Sequence, residues 1–473
     1  MKLMLFAPEL IVLLGGLVIF GFSLTDSNGK NSWLTATCTA ILAIILCLTS
    51  LTSNGELFLQ AYKVDLFSQI FKLLIVSGMA AVVIFGRQLK GIKDDVRPEY
   101  YLFLSMSVLG LMMLVSSVEM ISIFVALELS SFCLYILVPM RNDQGGLRSQ
   151  MESGIKYMLY GVVATGIMLF GMSYIFGLTG QTHLVKILPI LHMKIAEPAA
   201  LVGIAMVMGG FFFKLAVFPF HFWVPDVYEG ASNETTAFIA SIPKLGAVAL
   251  LIRITSLATP DAPNLIKMFT ALAICSMFYG NLSALVQKDI KRMLGFSGIA
   301  HAGFILLGLL TLNAEGFATS MYYISGYLVM NLACFLVICS VSKEGENLKI
   351  EDLSGLHKRA PFLAFTMLIG MFALAGIPPF VGFMGKFMLL TGALKAGQLP
   401  LVILAALNTA IAIYYYLSVV KVAYCNSAEG YDDIEVGFGT RAVSILLILA
   451  IVMMGVMPTK LLELATVAVQ GIL

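Results

Sequence analysis

Three lysines lie inside apolar stretches of the sequence, and each is close to a proline. Proline lacks a backbone N–H donor and breaks or kinks a helix. A lysine at the centre of a membrane helix costs about 2.5–3.5 kcal/mol on an insertion scale. Because burying these lysines is costly, they indicate a function that needs a buried amine. An amine readily binds and releases a proton. The three pairs are Lys214 with Pro219, Lys244 with Pro243 and Lys386 with Pro379.

Other titratable residues in apolar segments are positioned to share protons with these lysines. Glu128 lies mid-segment in FVALELSSF, and within about 4–6 Å of Lys214 each group would favour the charged form of the other. We therefore expect Glu128 and Lys214 to pair. His301 is either a relay, because imidazole titrates near neutral pH, or a satisfied core histidine. His221 is a candidate relay, and Lys291 is either a relay or an anchor at the cytoplasmic edge.

Lys72 is a fourth lysine within an apolar segment, but it lies only a turn or two from the segment's start. Long basic side chains near a helix end extend toward the membrane interface. We therefore expect Lys72 to reach the interface and Glu9, in the first apolar segment, to lie near a helix end.

The composition indicates an all-α integral membrane protein. Hydrophobic residues make up 59% of the chain, the mean hydropathy is +0.95 and charged residues make up only 12%, whereas soluble proteins are about a quarter charged. A net charge of +2 gives no reason to expect a nucleic-acid partner. The seven cysteines contain no CxxC pair and the five histidines are scattered, so we expect no metal or haem site.

The pattern of apolar segments predicts a single polytopic membrane domain over residues 1–473. Because one crossing takes about 20 apolar residues, the sequence predicts about 14 transmembrane helices and places both termini on one side. The loops opposite the termini hold roughly twice as many Lys and Arg residues as the loops on the terminal side, which places the termini outside the cytoplasm.

Two predicted helices share an unusual feature, a Pro-Phe break with a lysine nearby. The breaks are at Pro219 and Pro379. Paired interrupted segments indicate a transporter built from repeated halves. Residues 101–254 and 265–423 fit two five-helix repeats, and an odd number of spans per unit makes the two repeats inverted relative to each other.

Four motifs together resemble the antiporter-like membrane subunits of NADH:quinone oxidoreductase (respiratory complex I). They are FFFKLAVFPFHFWVPDVYEGA, SIPKLGA, QKDIKRMLGFSGIAHAGF and AGIPPFVGFMGKF. The stretch ELSSFCLYIL and the length of 473 residues are most similar to the subunit N branch of bacteria. The resemblance covers nearly the whole chain and implies two inverted five-helix repeats with two broken helices. It implies a proton pathway through Glu128, Lys214, Lys244 and Lys386, with His301 in a central polar axis.

This resemblance implies a proton-translocating subunit without a redox centre of its own. NADH, FMN, iron–sulphur clusters and quinone are then expected in partner subunits, both membrane-embedded and peripheral, at the bacterial inner membrane. The Glu128–Lys214 pair would act as modulator, Lys244 as central relay and Lys386 as terminal exchange site, with His301 between the last two. Two alternatives remain open, a subunit of a multi-subunit sodium/proton antiporter and a structural spacer that moves no proton.

Overall fold

The computed structural model describes residues 2–25, 29–142, 148–194, 197–256, 262–428 and 432–473. These residues are almost entirely helical. The α-helices are α1 Ala7–Ser23, α2 Lys30–Thr49, α3 Leu66–Phe85, α4 Arg97–Ser116, α5 Met120–Leu137, α6 Ser149–Thr179, α7 Leu184–Met193, α8 Pro198–Leu215, α9 Trp223–Gly230, α10 Asn233–Thr255, α11 Pro263–Leu285, α12 Ile290–Leu309, α13 Ala314–Val341, α14 Leu356–Arg359, α15 Pro361–Ala375, α16 Val381–Lys395, α17 Leu399–Cys425, α18 Phe438–Val456 and α19 Pro458–Gln470. Short 3₁₀ segments are Lys2–Phe6, Asp94–Val96, Val138–Met140 and Ile350–Leu353.

The predicted helical membrane fold is confirmed. Within the described residues, 13 helices are long and apolar enough to cross a membrane. The one further predicted crossing is divided between α15 and α16, neither of which is long enough to cross alone. A small antiparallel hairpin, β1 Gly55–Leu57 and β2 Tyr62–Val64, connects α2 to α3 and contains the two β-strands of the described residues.

Helices α10, α12 and α13 form the centre of the bundle. Nearly every side chain of α10 and α12 is buried, and so are most of those of α13. By contrast, only about a third of the membrane-spanning residues of α2, α17 and α18 are buried. The polar residues of the central helices are therefore shielded from lipid by a surrounding layer of protein.

Both broken helices end with the same backbone conformation. Helix α8 leaves the helical path at Ala216 (φ 67°) and α15 leaves it at Gly376 (φ 85°), so each ends in the left-handed conformation. The amides of Val217 and Ile377 then donate back across the last turn, to the carbonyls five residues earlier. This is a common way to satisfy the last carbonyls of a helix. After each break the chain enters a second half-helix, α9 or α16.

The helix pairs α4–α5 and α11–α12 also share the same kind of close packing. A Cβ added at Gly110 would lie 2.6 Å from the backbone nitrogen of Ser130, and one added at Gly280 would lie 2.6 Å from that of Ala300. Both helix pairs therefore pack in backbone contact at a glycine. The bounds of the two repeats, 101–254 and 265–423, stay a prediction, and residues 143–147 and 195–196 of the first lie outside the described residues.

Candidate functional site

Lys244 lies on α10 and is 1% exposed. Its Nζ donates to the Tyr327 hydroxyl at 3.1 Å and lies 4.9 Å from the centroid of that ring. Gly298 of α12 leaves the space for this contact, because a Cβ there would lie 2.7 Å from Lys244 Nζ and 3.0 Å from the Tyr327 hydroxyl. No carboxylate of the described residues lies within 4.0 Å of this amine.

His301 lies on α12 between two tyrosine hydroxyls. Its Nδ1 is 2.7 Å from the hydroxyl of Tyr323, and its Nε2 is 3.1 Å from that of Tyr416. Its ring centroid is 5.1 Å from that of Tyr327, which binds Lys244. A neutral imidazole donates from one nitrogen and accepts at the other, so this geometry suits the passage of a proton through the ring.

Lys386 lies just past the second break and reaches back to the helix before it. Its Nζ donates to the carbonyls of Leu374 (2.9 Å) and Ala375 (3.2 Å), the last residues of α15. The C-terminal carbonyls of a helix carry partial negative charge and attract cations. Lys386 lies within electrostatic reach of His301. The broken helix therefore supplies the polar ligands of this buried amine.

Lys214 lies in the last turn of α8, and its Nζ has no hydrogen-bond partner within the described part of the chain. It lines a cavity of about 10 Å³ with Ser131 and Thr165, which is close to the room one water needs. The expected ion pair with Glu128 is not formed as a direct contact within 4.0 Å, although Glu128 acts on Lys214 electrostatically. A water in this cavity would hydrate the amine.

Glu128 is half-buried, on a face of α5 that also carries exposed apolar residues. Val125 and Phe132 lie one turn before and after Glu128, and each is 54% exposed. Residues three or four apart share a helix face. The residue therefore lies beside an apolar surface, while its Oε1 is buried and has no hydrogen-bond partner among the described residues.

The other two candidate relays lie apart from Lys244 and His301. His221 is buried in the break after α8, its ring centroid is 4.2 Å from that of Tyr279, and neither of its ring nitrogens has a partner among the described residues. Lys291 is fully buried and donates to the Ala231 carbonyl at 2.8 Å. It therefore joins α12 to the end of α9. Pro219 and Pro379 both lie in the breaks between half-helices.

Lys72 does not reach the membrane interface, so that prediction was wrong. The side chain is fully buried, and its Nζ lies 2.8 Å from Glu9 Oε1. The same oxygen accepts a hydrogen bond from the Tyr62 hydroxyl at 2.6 Å. Helix α1 and the hairpin bring this acid and this hydroxyl to Lys72, and nothing in the local sequence around Lys72 signals that contact.

Three tyrosines of the site were missed in the sequence: Tyr323, Tyr327 and Tyr416. A signal was present, because Tyr323 and Tyr327 are four residues apart in an apolar segment and so share one helix face. Buried tyrosines usually place their hydroxyl groups on a hydrogen-bond partner. Here the partners are Lys244 and His301.

Comparison with known proteins reveals the family of this chain. Residues 117–412 match the sequence model described as NADH:quinone oxidoreductase/Mrp antiporter, TM. The chain is 50% identical to NADH-quinone oxidoreductase subunit N 2 of Opitutus terrae over 454 residues, which is 96% of this chain and 95% of that protein.

Two solved structures have the same fold. A chain of respiratory complex I from Thermus thermophilus with bound aureothin has a TM-score of 0.84 at 28% identity, covering 97% of this chain and 99% of its own. A chain of the Mrp complex from Dietzia sp. has a TM-score of 0.89 at 19% identity, covering 100% of this chain and 98% of its own, and this likeness concerns the fold alone. The chain therefore belongs to the NADH:quinone oxidoreductase/Mrp antiporter membrane family and, within it, to the subunit N proteins of NADH-quinone oxidoreductase.

Proposed function

We propose that this chain moves protons across the membrane as the subunit N of an NADH:quinone oxidoreductase. The observation that carries the proposal is the central polar line, which we define as Lys244, Tyr327, His301, Tyr323 and Tyr416. In it the Lys244 amine is hydrogen-bonded to the Tyr327 hydroxyl, and the His301 imidazole, whose ring centroid is 5.1 Å from that of Tyr327, is hydrogen-bonded to the other two hydroxyls. All five side chains are buried. Lys386, within electrostatic reach of His301, is the next amine beyond the line.

The members of the central polar line suit proton transfer better than the binding of a larger solute. Hydroxyl and imidazole groups both donate and accept hydrogen bonds, so a proton can enter on one side and leave on the other. The hydrogen-bond and ring partners of Lys244 and Lys386 in the described structure are hydroxyl, carbonyl and aromatic groups. An amine with such neighbours is not locked into its charged form by a contacting carboxylate.

The energy for transport must come from outside this chain. Moving one elementary charge against a membrane potential costs about 2.3 kcal/mol per 100 mV. In our proposal, electron transfer to quinone in partner subunits supplies that energy, and NADH, FMN and the iron–sulphur clusters are held there. The half-buried Glu128 and the apolar residues beside it on α5 form the surface that a neighbouring membrane subunit covers. Both termini face away from the cytoplasm of a bacterial host.

The second candidate function is that of a subunit in a multi-subunit sodium/proton antiporter. It is favoured by the family model, whose description covers both kinds of protein, and by the fold shared with the Mrp chain. The two functions differ in their driving force. An antiporter subunit exchanges protons for sodium without NADH, whereas the proposed subunit moves protons only while NADH reduces quinone.

The proposal is tested by the variant Lys244→Met in the assembled complex. Because proton transfer by a positioned side chain contributes about 10²–10⁴-fold to a rate, we expect NADH-driven proton translocation in membrane vesicles to fall at least about a hundredfold. The matched control is Lys395→Met, since Lys395 is 67% exposed and pairs with Glu315 on the protein surface. Full proton translocation in an assembled Lys244→Met complex would remove Lys244 from the pathway and contradict the proposal.

A further inference from the structure

Glu234 is a buried carboxylic acid outside the site described above. It lies in the first turn of α10, ten residues before Lys244, and is 3% exposed. One of its carboxylate oxygens, Oε2, is buried with no hydrogen-bond partner in the described part of the chain. Leaving a buried polar atom without a partner destabilises a fold, so its position calls for an explanation beyond packing.

Most of the elements packed around Glu234 bring a titratable or charged side chain toward it. Helix α3 ends against it, since a Cβ added at Gly86 would lie 2.9 Å from Glu234 Cγ. Lys291 approaches from α12 and Lys90 from the segment after α3. Five titratable or charged groups lie within electrostatic reach of this carboxyl group: Lys90, Tyr100, Tyr101, Lys291 and Cys339. Arg141 is a sixth such group.

Polar side chains lie between Glu234 and Lys244 where α10 packs against α13. Ser241 lies seven residues beyond Glu234, which is two helical turns or about 10 Å along the same face of α10. Its hydroxyl accepts a hydrogen bond from Asn331 Nδ2 of α13 at 2.9 Å. Asn331 is one turn from Tyr327, which binds Lys244. Beyond Ser241, polar side chains on α10 and α13 therefore lie at successive helical turns as far as Lys244.

Polar groups without partners also lie beside the first turns of α10, where Thr236 Oγ1 donates to the Tyr228 carbonyl at 3.1 Å. Tyr228 of α9 is fully buried, and its hydroxyl has no partner among the described residues. Its ring lies 6.5 Å from that of Phe335, one turn beyond Asn331 on α13. Gly295 leaves room for the ring, since a Cβ there would lie 3.2 Å from it. Pro243 donates no hydrogen bond inside α10, and a proline leaves the carbonyl four residues earlier without its helical partner.

We propose that Glu234 is the proton-uptake group that supplies Lys244 from the side of the membrane opposite the termini. This inference rests on the proposed function. In each cycle the O–H bond of the Glu234 carboxylic acid breaks, the proton passes by way of the Tyr228 hydroxyl and bound water to the Ser241–Asn331 pair, and an N–H bond forms at Lys244. The carboxylate then takes a new proton from the solvent on its own side.

The test compares Glu234→Gln with Glu152→Gln in the assembled complex in vesicles. Glu152 is the matched control, because it lies in the first turn of α6 at the same end of the bundle, and its side chain is 67% exposed. We expect NADH-driven proton translocation by Glu234→Gln to fall several-fold, and to fall further as the pH rises, because no carboxylate then collects scarce protons. Glu152→Gln keeps the wild-type rate and pH profile.

Two further variants separate uptake from a structural role. Glu234→Asp keeps an acid and is expected to restore most of the rate and the wild-type pH profile, and Tyr228→Phe is expected to lower the rate less than Glu234→Gln does. A wild-type pH profile in Glu234→Gln, or an equal loss at every pH that Glu234→Asp does not relieve, would overturn the inference. If Lys244→Met stops translocation while Glu234→Gln does not, only the uptake route fails. If Lys244→Met has no effect, the proposed function fails.

Discussion

Lys72 and Lys244 are both buried lysines in membrane-spanning helices, but their neighbours differ. Lys72 lies 2.8 Å from the Glu9 carboxylate, at the contact between α1 and α3. Lys244 contacts the hydroxyl and ring of Tyr327 at the centre of the bundle. A contacting carboxylate favours the charged amine, whereas a hydroxyl can hydrogen-bond the amine with or without its extra proton.

Burial alone therefore does not identify a transport lysine. The Glu9–Lys72 pair carries no net charge and joins the N-terminal helices to the rest of the bundle, which is a structural role. Lys244 and Lys386 lack such a partner within contact distance in the described residues and lie near a titratable imidazole. The following predictions test this division between a structural lysine and transport lysines.

The largest effect on stability is expected for Lys72→Met. Removing one member of a buried ion pair leaves the other charge uncompensated, which costs about 3–5 kcal/mol. We therefore expect the detergent-solubilised protein to melt at a clearly lower temperature than wild type, measured by the loss of helical circular dichroism on heating.

The double variant Glu9→Gln with Lys72→Met is the control for this loss. Replacing both members of a buried pair removes the uncompensated charge, so most of the lost stability should return, and proton translocation should stay near the wild-type rate. If the single variant melts no earlier than the double variant, the Glu9–Lys72 pair does not stabilise the bundle as a structural ion pair.

An intermediate effect is expected for Gly298→Ala. The new methyl group would lie 2.7 Å from Lys244 Nζ and 3.0 Å from the Tyr327 hydroxyl, so it must push the two groups apart. Overpacking of this kind typically costs about 1–3 kcal/mol. We expect slower proton translocation in vesicles, while Gly166→Ala, at a site with open space around it, leaves the rate unchanged. Equal rates for the two variants would contradict the role of the Lys244–Tyr327 contact.

The smallest effect is expected for Tyr327→Phe. The variant keeps the ring beside Lys244 but removes one hydrogen bond, which is worth about 1 kcal/mol. Proton translocation should therefore fall by several-fold rather than cease. Tyr415→Phe is the matched control, since the Tyr415 hydroxyl binds Asn281 at 3.0 Å rather than Lys244 or His301. A larger loss of proton translocation in Tyr415→Phe than in Tyr327→Phe would contradict a proton pathway past the Tyr327 hydroxyl.

The sequence predicted the membrane fold and the two helix breaks because apolar length and proline act locally along the chain. Lys214, Lys244 and Lys386 were found for the same reason, since a charge within an apolar segment is visible without a structure. All three are buried, as expected.

Contacts between distant parts of the chain were not predictable in the same way. The Glu9–Lys72 pair joins α1 to α3, and no local pattern distinguishes Lys72 from a lysine that reaches the interface. Glu128 and Lys214 were expected to touch, but the Glu128 oxygens and Lys214 Nζ are more than 4.0 Å apart, and the spacing of residues along the sequence does not show this. Tyr416 reaches His301 from α17, which only the packing of the helices shows.

The central claim is that protons pass through the bundle centre along the central polar line. It is tested most directly by an experimental structure of the assembled complex at a resolution that shows internal water. We expect ordered waters that join Lys244 and His301 to Lys386 on one side and continue toward Lys214 and Glu128 on the other. A dry apolar gap between Lys244 and Lys386, too wide for a chain of waters to bridge, would contradict it.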